Sequence, residues 1–265
     1  MKLINITKRL TVQLMRKKLG PVAITLHHVP DTDFGWIEEF IDGLLEKYEF
    51  FSPNEVLSGE ILIDNKLLLS FDDGLLSQKR LTDKILDPRN IKAIFFVPTN
   101  FIGLRGEEAF EFAKTRFFPN SYPQDLSLGA YDAMSWSDLS SLLDNDHVIG
   151  GHTGTHPQLS LLTDDQQRQE IVDSADTLGK RLGISIKQFA YPFGSMQAVN
   201  RASVDIAQER FEISYSNIRG MLDEQASSNF LFRQNIVPGM PMWMAMAAVE
   251  GRLDWWYTKS RRSAY

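Results

Sequence analysis

The chain has 265 residues, 43% of them hydrophobic and 23% charged, with a formal net charge of -6. That length suits one large α/β domain or two small ones, and the charge excludes a general nucleic-acid binder, because no basic surplus is available to neutralise phosphates. Cysteine is absent, which excludes disulfides, thiolate metal sites and cysteine nucleophiles, so any metal site must draw on His, Asp or Glu.

Residues 1–20 carry Lys2, Lys8, Arg9, Arg16, Lys17 and Lys18 with no acid, and Leu3, Ile6, Leu10 and Leu14 recur at helical spacing. This pattern predicts a basic amphipathic helix. Packing on the domain is its plain reading, and peripheral docking on an anionic membrane face is the alternative. The same basic residues interrupt any apolar leader core, and no stretch is long enough to span a bilayer. The expected location is cytoplasmic, with the inner membrane face as the variant the helix suggests.

Strand patterns at 22–27, 67–71, 93–97, 147–151, 188–191, 213–216 and 230–235 alternate with helical patterns near 35–48, 75–87, 105–116, 136–145, 165–182, 201–210 and 240–250. Repeated βα units with right-handed crossovers make a parallel sheet. Seven strands suit either a barrel or an open doubly wound sheet. No Pro/Ser/Gly-rich linker divides the chain, so 21–250 reads as a single domain, followed by an aromatic and basic tail over 251–265. The stretch from Pro98 to Met134 is long for one connection and predicts an excursion over one end of the sheet. Met240, Met242, Met244 and Met246 read as core filling, with a greasy surface beside the site as the alternative.

In parallel α/β folds chemistry collects at the C-terminal ends of strands. Those ends carry His27-His28, Asp72-Asp73, His152, Tyr191-Pro192-Phe193 and Arg233. Asp72 and Asp73 close an apolar strand. Adjacent strand residues point to opposite faces, but a turn there could aim both carboxylates into one site. A plain turn, with Asp73 capping the next helix, is the structural alternative. Downstream, His152 and His156 are four apart, a spacing that puts both on one face of a helical turn and lets both reach one ion. The chain has only five His. Two imidazoles and one carboxylate leave coordination positions open for water and substrate.

Three motifs follow one another in order: Ser70-Phe71-Asp72-Asp73-Gly74, then Gly151-His152-Thr153-Gly154-Thr155-His156-Pro157, then Phe189-Ala190-Tyr191-Pro192-Phe193-Gly194. Together they resemble the polysaccharide deacetylases of the NodB-homology type, carbohydrate esterase family 4. The resemblance covers roughly residues 20–240 and implies a distorted (β/α)7 barrel with a divalent metal, usually zinc. It also implies roles: Asp72 as catalytic base, Asp73, His152 and His156 as metal ligands, and the Phe193 N–H in an oxyanion hole, with Tyr191 and Pro192 beside it at the substrate. Two family parts are missing. Ala190 stands where an Arg usually orients the base, and Arg233 is the substitute, an ordinary ion pair being the alternative. There is no His after His156 to serve as general acid, which leaves His27, then His28, or proton return by Asp72.

The expected activity is removal of N-acetyl groups from an amino sugar, in a polysaccharide or a lipid-linked glycan precursor. The alternatives are a metal-dependent C–N amidohydrolase acting on a non-sugar amide, and a non-catalytic carbohydrate-binding member of the family.

Overall fold

The computed structural model describes residues 20–56, 65–119, 127, 129–222, 229–257 and 259–260. Apart from Gly20, the amphipathic helix expected over 1–20 lies outside them, as do Arg261 and Arg262 of the tail.

Eight strands form one parallel sheet: β1 (Val22–Leu26), β2 (Glu49–Phe50), β3 (Lys66–Phe71), β4 (Ala93–Val97), β5 (Val148–Gly151), β6 (Gln188–Ala190), β7 (Ile213–Tyr215) and β8 (Gln234–Asn235), in the order β7-β6-β5-β4-β3-β1-β8. The short β2 pairs with β3 outside that path. A pattern of two residues is too short to read from sequence, and β2 was not foreseen. β1 and β4 are buried at every position, as expected of parallel strands covered on both faces. Among the described residues, no helix is long and apolar enough to cross a membrane.

The sheet curls into a distorted barrel. The segment before and within β8 bridges its two edges: Leu231 pairs with Tyr215 of β7, and Gln234 pairs with Ile24 of β1. The expected strand over 230–235 is therefore real as a closing segment, but only Gln234–Asn235 keeps regular pairing.

Side chains alternate along each strand. One set, including Ala23, Leu68, Ile94, Phe96, Ala190 and Tyr215, fills the interior. The other set, including Ile24, Leu67, Leu69 and Phe95, packs against the surrounding helices. Those helices are α1 (Phe34–Leu45), α2 (Leu76–Leu81), α3 (Gly106–Phe112), α4 (Trp136–Asp144), α5 (Asp164–Arg168), α6 (Ser174–Leu182), α7 (Arg201–Arg210) and α8 (Met242–Val249). Helix α5 runs into α6 through a π-helical turn, Gln169–Asp173. Gly150 lets the barrel close tightly, since a Cβ there would sit 2.4 Å from the Phe96 ring.

The described residues of the stretch from Pro98 to Met134 fold back over the strand ends. Met134 donates its N–H to the Gly74 carbonyl and Leu76 donates to Asp132. The four methionines from Met240 to Met246 are partly buried against the core. The supposed tail begins as part of the domain, because Leu253 and Asp254 are buried and Gln234 donates to Asp254 Oδ1 at 2.8 Å.

Candidate functional site

Alternation along the strands explains which polar groups meet. Counting in twos from the interior residues of β1, β3, β5, β7 and the closing segment leads to His27, Asp72, His152, Asn217, and both Arg233 and Asn235. Asp73 has the wrong parity. It reaches the same site because its backbone turns at φ 76°, a left-handed conformation that Asp tolerates better than most residues. It does not cap α2, whose N-cap is Leu75 with no side-chain cap.

Asp72 is buried and bound bidentately by Arg233, Nη1 to Oδ1 and Nη2 to Oδ2, both at 2.7 Å. Arg233 is itself fully buried. Its remaining donors reach the Ser216 carbonyl, Thr25 Oγ1 and Ser70 Oγ. Ala190 leaves no guanidinium on β6, and the one that binds Asp72 comes from Arg233 in the closing segment. Burial alone would raise the Asp72 pKa, but Arg233, His152 and His27 more than offset it and hold the carboxyl well below the usual range. His27 Nε2 lies 3.5 Å from Asp72 Oδ2 on the solvent side.

Asp73 Oδ1 is buried without a hydrogen-bond partner. It faces His152 Nε2 at 3.6 Å and His156 Nε2 at 3.5 Å. Each imidazole is fixed through its other nitrogen, His152 Nδ1 to the Ala190 carbonyl at 2.7 Å and His156 Nδ1 to the Arg116 carbonyl at 3.0 Å. A carbonyl can only accept, so both Nδ1 atoms carry a proton and both Nε2 atoms are left facing Asp73. Burial pushes the His156 pKa down to about 4, which keeps that ring neutral. Burial would raise Asp73, but the neighbouring imidazoles hold it below its ordinary value.

This donor set fits a divalent ion. Ligand atoms about 2.0–2.2 Å from a tetrahedral centre lie roughly 3.3–3.6 Å apart, close to the separations seen here. Backbone carbonyls that orient the ligating imidazoles are the usual second layer of such centres.

The segment 152–156 is not the helical turn its spacing suggested. Thr153 and His156 have φ 67° and 55°. The loop is shaped by its hydrogen bonds: His156 N–H donates to Thr153 Oγ1, and Glu170 takes the N–H groups of Gly154 and Thr155 and the Thr155 hydroxyl. The two rings still converge, with centroids 4.9 Å apart.

Phe193 also sits at positive φ, 60°. Its ring packs edge-on against His156 at 4.7 Å. Its N–H has no backbone partner among the described residues. Gly194 is required beside it, since a Cβ there would lie 2.3 Å from the Asn217 nitrogen. Tyr191 and Pro192 do not line the cavity. The Tyr191 side chain is 1% exposed and donates its hydroxyl to the Asn229 carbonyl, so the sequence-based substrate contact is corrected to a packing role.

A cavity of about 660 Å³ opens over these groups. Its walls include His27, His28, Asp73, His156 and Phe193, with Phe117, Phe118 and Tyr131 from the folded-back excursion. His28 stacks on Tyr131 at 4.8 Å. Asn217 and Asn235 also line it and were missed from sequence, although each stands at a strand end and could have been found by alternation. Glu170 lies within a helix and gives no such signal.

Comparison with known proteins agrees with this geometry. The family model described as polysaccharide deacetylase matches residues 62–210, over half of the chain, and the chain belongs to that family. A peptidoglycan-N-acetylglucosamine deacetylase of Bacillus cereus is 27% identical over 168 residues, 62% of this chain and 44% of the relative, so the chain spans under half of that curated relative's length. Among solved structures, IcaB from Ammonifex degensii shares the fold at a TM-score of 0.67 and 20% identity, covering 88% of this chain and 98% of that one. The Streptococcus pyogenes deacetylase PplD in complex with acetate does so at 0.63 and 20%, covering 88% and 99%.

Proposed function

We propose that this protein is a metal-dependent N-deacetylase acting on an acetylated amino-sugar glycan. The observation that carries the reading is the buried Asp73 Oδ1, without a hydrogen-bond partner, facing the Nε2 atoms of two histidines beside an arginine-bound Asp72. Asp73, His152 and His156 would hold the ion, with zinc the best match to a set of two nitrogens and one oxygen. When bound, a divalent ion polarises the acyl carbonyl and lowers the pKa of its water from about 15.7 toward ~7.

The chain's own residues supply the rest. Water oxygen adds to the acyl carbon as its proton passes to Asp72, held ionised and in orientation by Arg233. The Phe193 N–H donates to the developing oxyanion, a contact typically worth about 3 kcal/mol. Cleavage of the C–N bond then needs a proton on the amine, which His27 delivers from the cavity side of Asp72. The products are acetate and the free amine.

The cavity walls favour a neutral glycan over a pyrophosphate-bearing precursor. Asp33 and Asp73 line them, and no Lys or Arg does among the described residues. Purified protein should release acetate from acetylated chito-oligosaccharides, lose that activity with chelator and regain it with Zn²⁺. Asp72→Asn should abolish turnover while metal content is unchanged. Acetate release from non-sugar amides alone would move the reading to a general amidohydrolase, and full glycan binding by Asp72→Asn with no turnover in the wild type would move it to a binding protein.

A further inference from the structure

We infer that Glu170 is a positioning residue for the metal-binding loop, acting on the ion only through the shape it gives to residues 153–156. The inference rests on the proposed metal site. Thr153 and His156 both adopt positive φ, which is uncommon for non-glycine residues and unfavourable for a β-branched one. Such a conformation persists only where surrounding groups over-determine it.

Here the loop is clamped from both sides. On the strand side, Thr99 and Asn100 at the end of β4 donate their N–H groups to the carbonyls of Thr153 and Gly154 at 3.1 and 3.0 Å. On the helix side, one carboxylate does the matching work. Glu170 Oε2 accepts from Gly154 and Thr155 N–H, both at 2.8 Å, and Oε1 accepts from the Thr155 hydroxyl at 2.7 Å. The fit is close, since a Cβ on Gly154 would lie 3.2 Å from Oε2.

Glu170 belongs to the π-helical turn between α5 and α6. Ser174 Oγ donates to the Glu170 carbonyl, and Thr99 Oγ1 donates to the Ser174 carbonyl at 3.1 Å. Helix turn, loop and strand end are therefore tied in one circuit. Gly154 and Thr155, which the clamp holds, connect the two histidines in sequence, so the path of this loop fixes where His156 stands relative to His152. Charge-assisted bonds to backbone N–H groups are the strong kind.

The test compares wild type, Glu170→Ala and Glu170→Gln by Co²⁺ titration, by amide hydrogen exchange over 152–157 in metal-free protein, and by thermal melting. Loss of an outer partner of this type costs about 10–100-fold in metal affinity. Glu170→Ala should show that loss together with faster exchange over 152–157. Glu170→Gln should largely restore both, because its carbonyl can still accept the two N–H groups and its amide can donate to Thr155 Oγ1. A Glu170→Ala protein that is less thermostable yet binds Co²⁺ with wild-type affinity would reduce Glu170 to a structural residue and overturn the inference. Absence of Co²⁺ binding by the wild type would instead sink the metal site itself, and this inference with it.

Discussion

The pair formed by Asp72 and Arg233 is an ion pair buried on both sides. Arg233 has no exposed surface, and its forked geometry matches both carboxylate oxygens. Removing one partner of a buried pair leaves the other charge uncompensated and costs about 3–5 kcal/mol. Arg233→Ala should lose stability on that scale in urea unfolding, and Arg233→Lys should not recover it fully, since an ammonium cannot pair bidentately. His27 tests differently, because it is partly exposed and its side chain lines the cavity. Assigned to amine protonation, it should be worth about 10²–10⁴-fold in kcat. His27→Gln should show that loss in acetate release with KM and Zn²⁺ content little changed. Both residues were nameable in advance because they end strands. The resemblance pointed to Arg233 as the group on Asp72 although it lies 161 positions away, but the two-pronged geometry of that contact and the closeness of His27 to the same carboxylate were not legible.

At the level of elements, the alternation of strands and helices was legible from short apolar runs separated by amphipathic ones. Less legible were features set by tertiary contact. A four-residue spacing of His reads equally well as a helical turn or as the left-handed loop that occurs, and the choice is made by Thr99, Asn100 and Glu170, all distant in sequence. The π-helical turn carrying Glu170 leaves no mark in the hydrophobic pattern either. The junction of β4 and β5 offers a pH test. His147 Nδ1 accepts the Ala93 N–H at 3.1 Å, while Nε2 donates to Asp87 at 2.9 Å. Burial lowers the His147 pKa below its ordinary 6.5. Between the two values the unfolded chain binds the extra proton, so stability rises with pH across that window. Unfolding free energy should therefore fall as pH drops below about 6.5. His147→Leu should lose this part of the slope, as measured by urea titrations from pH 7.5 to 5. In the same junction, Gly150→Ala would drive a methyl into the Phe96 ring. Overpacking of this kind costs about 1–3 kcal/mol, visible as a lowered Tm.

Across the whole molecule, the barrel brings together Asp73 from the end of β3 and His152 and His156 from the end of β5 around one opening. An ion that binds only the folded chain stabilises it by mass action, by about 2.7 kcal/mol at one hundred times Kd. Zn²⁺ should raise the Tm of wild type but not of Asp73→Asn, and chelator should reverse the shift. The barrel's seam has a further consequence for how the protein is made. Its closing segment, which spans both sheet edges and delivers Arg233, follows β1 to β7 in the sequence. A nascent chain leaving the ribosome presents both aspartates and both ligand histidines well before that segment emerges. Until it does, the sheet has two open edges and Asp72 has no guanidinium. Synthesis thus delivers Asp73, His152 and His156 before the segment that joins the two edges of the sheet, so closing the seam and completing the surroundings of Asp72 are one event.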